Sequence, residues 1–295
     1  LAHREMSVLY RTNAQSRALE DVFRRRGLPY QIVGGVRFYE RREIQDVLAY
    51  LRLISNPLDA GAFERVVNYP RRGVGNTSLE RLSSWAEVEG IGLLEAAARA
   101  DEAPDVPKGG ARGLIAFAAL VQRYSALASQ MRVGELLEGL VEELDLFRHL
   151  ADEGPEGEDR ADNARELIAG ALDYDAELQE ELEGETLDHF TELDLFLQQA
   201  ALVADVDRHD PDADAVTLMT LHNAKGLEFP VVFIVGMEEN LFPSMMTVNS
   251  RADLEEERRL FYVALTRAEK QAYLTYALSR YRWGKLVDSD PSRFI

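Results

Sequence analysis

The sequence predicts an α/β fold, in which a parallel-sheet domain built from two separated stretches carries an inserted all-α domain. Three observations lead there. Short apolar, β-branched runs of strand length occur near both ends of the 295-residue chain, at 6–10, 30–33, 216–220 and 231–235. Helical periods dominate the stretch between them. Two N-terminal strands cannot close a sheet alone, so they need the C-terminal ones. The expected boundaries are 1–39 and 213–295 for the sheet domain and 40–212 for the insertion.

Each element has its own signal. After the strand at 6–10, Thr12 or Asn13 can cap a helix from 14 to about 26, with Leu19, Val22 and Phe23 on one face. Gly27-Leu28-Pro29 stops it. The strand at 30–33 ends at Gly34-Gly35. In the middle, helices are expected at 42–54, 62–68, 78–89, 114–132, 134–150, 162–176 and 187–202. Asn56-Pro57, Pro70, Gly73, Gly75, the stretch 104–110 and Gly154-Pro155-Glu156-Gly157 punctuate them. Beyond His209–Asp214 come strands at 216–220 and 231–235, a helix from 254 to about 270, and a last strand at 272–278. No internal repeat is visible.

Composition narrows the function classes. With 46% hydrophobic residues the chain is not disordered, and no apolar run approaches the roughly 20 residues of a membrane span. No signal peptide is present at the start, and the absence of cysteine excludes disulfides, thiolate metal sites and cysteine nucleophiles. A first residue other than methionine, leading almost at once into a strand, reads as a piece of a longer chain. The net charge is −19, but fifteen acidic and two basic residues fall between 151 and 190. That segment is expected to face away from any polyanion. Local basic clusters remain at Arg24-Arg25-Arg26, Arg37/Arg41/Arg42, Arg71-Arg72 and Arg280/Arg282/Lys285. The five histidines (His3, His149, His189, His209, His222) have no metal-site spacing.

No G-x-x-x-x-G-K-[ST] phosphate cradle occurs, so the chain alone is not expected to hydrolyse a nucleotide. Yet Thr220-Leu-His-Asn-Ala-Lys-Gly-Leu-Glu-Phe-Pro230 packs several polar groups into one connection between buried strands, which suits a ligand. In Glu255–Glu269, the residues Leu260, Ala264 and Arg267 recur at i, i+4, i+7, and a guanidinium held there could reach a phosphate supplied by another domain. An ordinary amphipathic helix with ion pairs such as Glu255–Arg259 reads equally well from spacing alone. Thr77 with Glu80 three residues on reads as a capping box, and Gly73 and Gly75 before that helix could leave backbone N–H groups free for a phosphate. A plain capped turn is the alternative.

Taken together, Arg11-Thr-Asn-Ala-Gln-Ser-Arg17, Gly34–Arg41, Pro70-Arg-Arg-Gly-Val-Gly75, Thr220–Pro230 and Glu255–Glu269 resemble, in order and spacing, successive motifs of the UvrD/PcrA/Rep DNA helicases of superfamily 1, nearest the UvrD branch. The resemblance covers essentially the whole chain. It implies a RecA-like domain (2A) in two pieces with the helical domain 2B inserted, and the preceding domains 1A and 1B, with the Walker motifs, lying outside this sequence. It further implies an ATP-dependent 3′-to-5′ helicase of DNA repair in the bacterial cytoplasm, associated with the nucleoid. ATP and Mg²⁺ would be shared with domain 1A. Single-stranded DNA, the junction of single and double strand, the 1A/1B half and repair proteins would be its partners, with no membrane.

Residue by residue, the resemblance makes Glu228 a ribose ligand within Lys225-Gly226-Leu227-Glu228, so that Gly226 and Glu228 belong to the nucleotide site. It makes Arg267 the catalytic arginine on the γ-phosphate. Thr220 and His222, with Arg17, would touch the single-strand backbone. Met246 would lie where the strand leaves. Trp283, where the family commonly has tyrosine, would be the stacking tip of a β-hairpin pin. Arg72, Gly73, Gly75 and Thr77 would grip the duplex. Core or surface packing is the alternative for Met246 and Trp283. Rival readings of the whole are a non-catalytic DNA- or partner-binding module on the same fold, and the helicase subunit of a recombination nuclease.

Overall fold

A computed structural model describes residues 1–154, 156–182, 187–205, 214–245, 247–248, 250–282 and 285–295. In chain order the elements are β1 (Met6–Tyr10), α1 (Ser16–Arg25) and β2 (Tyr30–Ile32), then the helices α2 (Arg42–Ser55), α3 (Ala60–Val66), α4 (Asn76–Glu89), α5 (Leu93–Ala98), α6 (Lys108–Ala128), α7 (Val133–Glu143), α8 (Leu146–Ala151), α9 (Gly157–Glu181) and α10 (His189–Asp205). They close with β3 (Val216–Thr220), β4 (Phe229–Ile234), α11 (Arg251–Leu265), β5 (Ala268–Leu274), β6 (Ser279–Arg282) and β7 (Lys285–Asp288). The chain divides into two compact units, Leu1–Arg41 with Asp205–Ile295, and Arg42–Ala204.

In the first unit five strands form a wholly parallel sheet in the order β2-β3-β1-β4-β5, so the N-terminal strands do pair with the C-terminal ones. Alternation of side chains sorts the core onto the two faces. Leu9, Met219, Val232 and Ile234 meet Phe261 and Ala264 of α11 on one side. Val8, Tyr10, Val216 and Leu218 meet Leu19 and Phe23 of α1 on the other. Burying each such side chain contributes about 1.5–3 kcal/mol, which is why these short runs are strands although few polar residues interrupt them. Thr12 caps a short 3-10 turn at Asn13–Gln15 that leads into α1.

Several boundaries differ from those read off the sequence, and α5 is not among the expected helices; three of the differences have a tertiary reason. First, α6 begins at Lys108, six residues before the expected start, and includes Gly109, Gly110 and Gly113. A Cβ on Gly110 would lie 2.3 Å from the Ser78 hydroxyl oxygen, and one on Gly113 would lie 2.4 Å from the Arg72 carbonyl oxygen. Gly110 and Gly113 mark close packing, not a loop. Second, the helix expected over 134–150 is broken between α7 and α8 at Asp145, whose φ is +48°. Gly157, at the head of α9, has no room for a Cβ against the Leu150 carbonyl of α8. Third, α11 ends at Leu265 and the edge strand β5 starts at Ala268, not at 272, because the Phe229 N–H pairs with the Arg267 carbonyl at 2.9 Å and opens the β4–β5 ladder there.

Candidate functional site

The sheet fixes where the motif residues go. Thr220 pairs with Tyr10 at the carboxyl ends of β3 and β1, whereas Phe229 pairs with Ala268 at the amino ends of β4 and β5. The segment 221–228 therefore carries the chain from one edge of the sheet to the other. It does so in tight turns: the Asn223 and Ala224 amides donate to the Thr220 carbonyl at 3.1 and 3.2 Å, and Leu227 donates to Ala224 at 3.1 Å. Gly226 closes the turn at φ +88°, with open space where a Cβ would be.

At the amino edge Arg267 stands between the end of α11 and the start of β5. Its Nε donates to the Val263 carbonyl, Nη1 to the Leu227 carbonyl and Nη2 to the Thr266 hydroxyl, each at 3.0 Å. Of the five N–H donors of a guanidinium, these contacts use three. The side chain is half-buried, so an open edge of it remains, beside a Gly226 turn that presents the exposed Glu228 carboxylate. Arg267, Gly226 and Glu228 are thus joined through the Leu227 carbonyl. On α11 itself the ion pairs are Arg258–Glu255 and Arg259–Glu256 at 2.7 and 2.9 Å, not the expected Glu255–Arg259.

The carboxyl edge holds Thr220, 8% exposed, and the exposed His222. It also holds Arg11, which the sequence reading did not single out. Arg11 follows β1 directly and forms a fork with the buried Glu257 of α11, Nε to Oε1 at 3.0 Å and Nη2 to Oε1 at 2.7 Å. Its position one residue past an apolar strand was the available signal. Arg17, expected on the strand track, is the second residue of α1, just past the carboxyl end of β1, where it is 7% exposed and donates to Asp21 at 3.1 Å. Burial there raises the Asp21 carboxyl above its ordinary range against the pull of Arg17. Enclosed in this way, Arg17 presents no open cation.

The helical unit builds its own site around Pro70–Thr77. Asn68 Oδ1 accepts the Arg72 and Val74 amides at 2.8 and 3.2 Å. The Arg72 guanidinium donates to the Val66 and Pro70 carbonyls at 3.2 and 3.0 Å and to the Tyr50 hydroxyl at 2.6 Å. It also lies over the Phe117 ring at 5.3 Å. Burial pushes the Tyr50 hydroxyl up to about 12, with Arg72 partly offsetting, so this phenol stays protonated and donates to the Tyr69 carbonyl. Gly73 takes φ +73° and, like Gly75, has open space at its Cβ position. The expected capping box is corrected here: α4 starts at Asn76 with Gly75 as its cap and no side-chain cap bond, and Thr77 is exposed inside the first turn. A glycine cap leaves the first amides of the helix facing outward.

Strands β6 and β7 form an antiparallel hairpin, from the Ser279–Asp288 pair to Arg282–Lys285. Trp283 and Met246 lie outside the described residues. Arg280 of the expected basic cluster is engaged at the hairpin root, donating to Glu238 at 2.6 and 2.8 Å. Among the described residues no group of three or more His, Asp or Glu could hold a metal, and no helix is long and apolar enough to cross a membrane.

Comparison with known proteins fits this geometry. The model of the UvrD-like helicase C-terminal domain matches residues 2–102 and 115–279. The chain is 40% identical over 298 residues to the ATP-dependent DNA helicase PcrA of Bacillus subtilis (strain 168), covering 99% of the chain and 39% of that protein. It is 41% identical over 296 residues to PcrA of Leuconostoc citreum, covering 100% and 39%. Against the ATP-dependent DNA helicase UvrD1 of Mycobacterium tuberculosis (strain ATCC 25618 / H37Rv) it is 40% identical over 303 residues, covering 100% and 39%. The chain therefore spans about two fifths of the length of the curated relatives it matches.

Proposed function

The chain belongs to the UvrD-like helicase C-terminal family, and from that premise we propose that it is the C-terminal half of an ATP-dependent 3′-to-5′ DNA helicase of DNA repair. The observation that carries the reading is the arginine corner, where a half-exposed guanidinium, an exposed carboxylate and an open glycine turn are held together by one carbonyl. These groups suit the far wall of a nucleotide site: Glu228 to accept from ribose hydroxyls, the Gly226 turn to let a nucleotide approach, and Arg267 to stabilise charge on the γ-phosphate. With no metal-holding cluster among the described residues, Mg²⁺ would arrive with ATP through domain 1A.

Segment 221–228 then has a mechanical role, because one short turn joins the nucleotide edge to the edge bearing Thr220 and His222. Closing the cleft on ATP would move both edges together, and hydrolysis would release them, stepping the chain along one strand. The outward amides at the Gly75–Thr77 helix start, behind a loop shaped by Arg72, would hold a duplex phosphate without reading sequence. Trp283 would stack on the first base pair, and Met246 would face the outgoing strand. Arg17 is left out of the proposed track because it is enclosed, whereas Arg11 offers a second guanidinium at the carboxyl edge.

The test is ATP-driven unwinding by the full-length protein on duplexes with a 3′ or a 5′ single-stranded tail. Unwinding of the 3′-tailed duplex alone is expected. Tight forked-DNA binding with no DNA-stimulated ATP turnover would instead favour the non-catalytic module.

A further inference from the structure

We propose that Glu238 is a positioning residue for strand separation: its buried carboxylate sets the direction of the β6–β7 hairpin relative to α11. The proposal rests on reading that hairpin as the strand-separating element. A two-stranded hairpin is marginal on its own in water, so its direction must be imposed at its root. Here the β6 side of the root is bolted to one carboxylate, while the β7 side is held by the Glu239 amide on the Asp290 carbonyl at 3.0 Å and the Ser292 amide on the Met237 carbonyl at 2.8 Å. Glu238 is fully buried, and it accepts the Ala277 amide at 2.8 Å and both arms of the Arg280 fork at 2.6 and 2.8 Å. Ala277 lies in the connection between β5 and β6, and Arg280 is the second residue of β6. Swinging the hairpin about its root would strand a buried charge, a costly state.

The other side of the bolt faces the motor. Glu238 lies in the loop from β4 to α11, and its carbonyl accepts the Phe242 amide at 2.8 Å. The Phe242 ring packs edge-on against Phe261 of α11 at 6.0 Å, and Phe261 stacks on Phe294 at 5.6 Å. The same loop reaches Glu257, which accepts the Ser244 amide at 3.4 Å and the Arg11 fork. Hairpin root, loop and α11, whose end carries Arg267, are therefore in unbroken contact.

The experiment compares Glu238→Gln, Arg280→Lys and Trp283→Ala in the full-length protein. It reads unwinding of a 3′-tailed duplex against translocation on single-stranded DNA, with thermal midpoints alongside. Glu238→Gln keeps volume but loses the charge, and is expected to slow unwinding about tenfold while translocation stays within about twofold. Arg280→Lys keeps a cation without the fork and is expected to slow unwinding about threefold, which preserves the test should Glu238→Gln fail to fold. Equal losses in unwinding and translocation, or unchanged unwinding in both root variants while Trp283→Ala impairs it, would overturn the positioning role. Unwinding untouched by Trp283→Ala would overturn the hairpin reading itself.

Discussion

Arg72 in the helical unit and Arg267 in the sheet unit are held by the same device and differ in what is left over. Each guanidinium ties together backbone carbonyls of a turn, Val66 and Pro70 in one case, Val263 and Leu227 in the other. Around Arg72 the rings of Tyr50 and Phe117 close the remaining sides. Around Arg267 no ring closes among the described residues, and its described contacts use three of five N–H groups, next to the turn that carries the exposed Glu228. Pairing alone does not tell a structural arginine from a working one. Enclosure does: on the function proposed, the first shapes a loop whose backbone would meet the ligand, and the second would meet the ligand itself.

The sharpest way to break this contrast is Arg267→Ala in the full-length protein. Turnover should fall roughly 10³–10⁵-fold, the scale for a lost arginine finger, while the thermal midpoint stays nearly fixed. Arg267→Lys should recover little, because an ammonium cannot hold the carbonyls and reach outward together. A large midpoint loss with modest kinetic change would make Arg267 another Arg72.

Arg72→Ala should show the opposite pattern, with a loss of about 2–4 kcal/mol from its hydrogen bonds and ring contacts, read in the denaturation midpoint. Gly113→Ala attacks the same loop from behind. Its new Cβ would press on the Arg72 carbonyl, and overpacking of this kind costs about 1–3 kcal/mol. Weaker duplex binding with single-strand binding unchanged should accompany that loss. No change in either would remove the glycine stripe from the account.

The smallest expected effect is a pH response in the helical unit. Asp175 accepts the Gly134 amide at 2.8 Å, and its other carboxylate oxygen is buried without a partner. Burial raises its carboxyl to about 6, above the unfolded value, so the stabilisation it brings is complete below roughly pH 4 and is lost as pH rises through about 6. Asp175→Asn should remove that component. The difference between its midpoint and that of the wild type should then change by several degrees between pH 4 and 7. A constant difference would mean that Asp175 does not titrate there.

The sequence made the strands legible because a run buried on both faces needs little context. The motif wording around Arg267 and Glu228 is specific, and the fold brings both to the same turn through the Leu227 carbonyl. Helix limits were less legible. Gly110 and Gly113 look like breakers until Ser78 of α4 and the Arg72 carbonyl that press on them are in place. Leu-Thr-Arg-Ala-Glu-Lys reads as more helix until the Arg267 carbonyl is claimed by Phe229. Thr77 looked like a cap because its spacing to Glu80 is right, although Gly75 occupies that position. Nothing in the sequence separates Glu238 from Glu239, and only the fold shows that the first is wholly buried while the second pairs with Arg293 at 2.7 Å. What escaped the reading depends on a partner distant in sequence, and periodicity carries no signal of such partners.

The central claim is that this chain supplies one wall of a nucleotide site and not the whole of it. ATP turnover by the purified 295-residue chain with saturating single-stranded DNA, set beside turnover by the full-length protein, tests it most directly. The account predicts turnover in the full-length protein alone. DNA-stimulated hydrolysis by the chain by itself would contradict it.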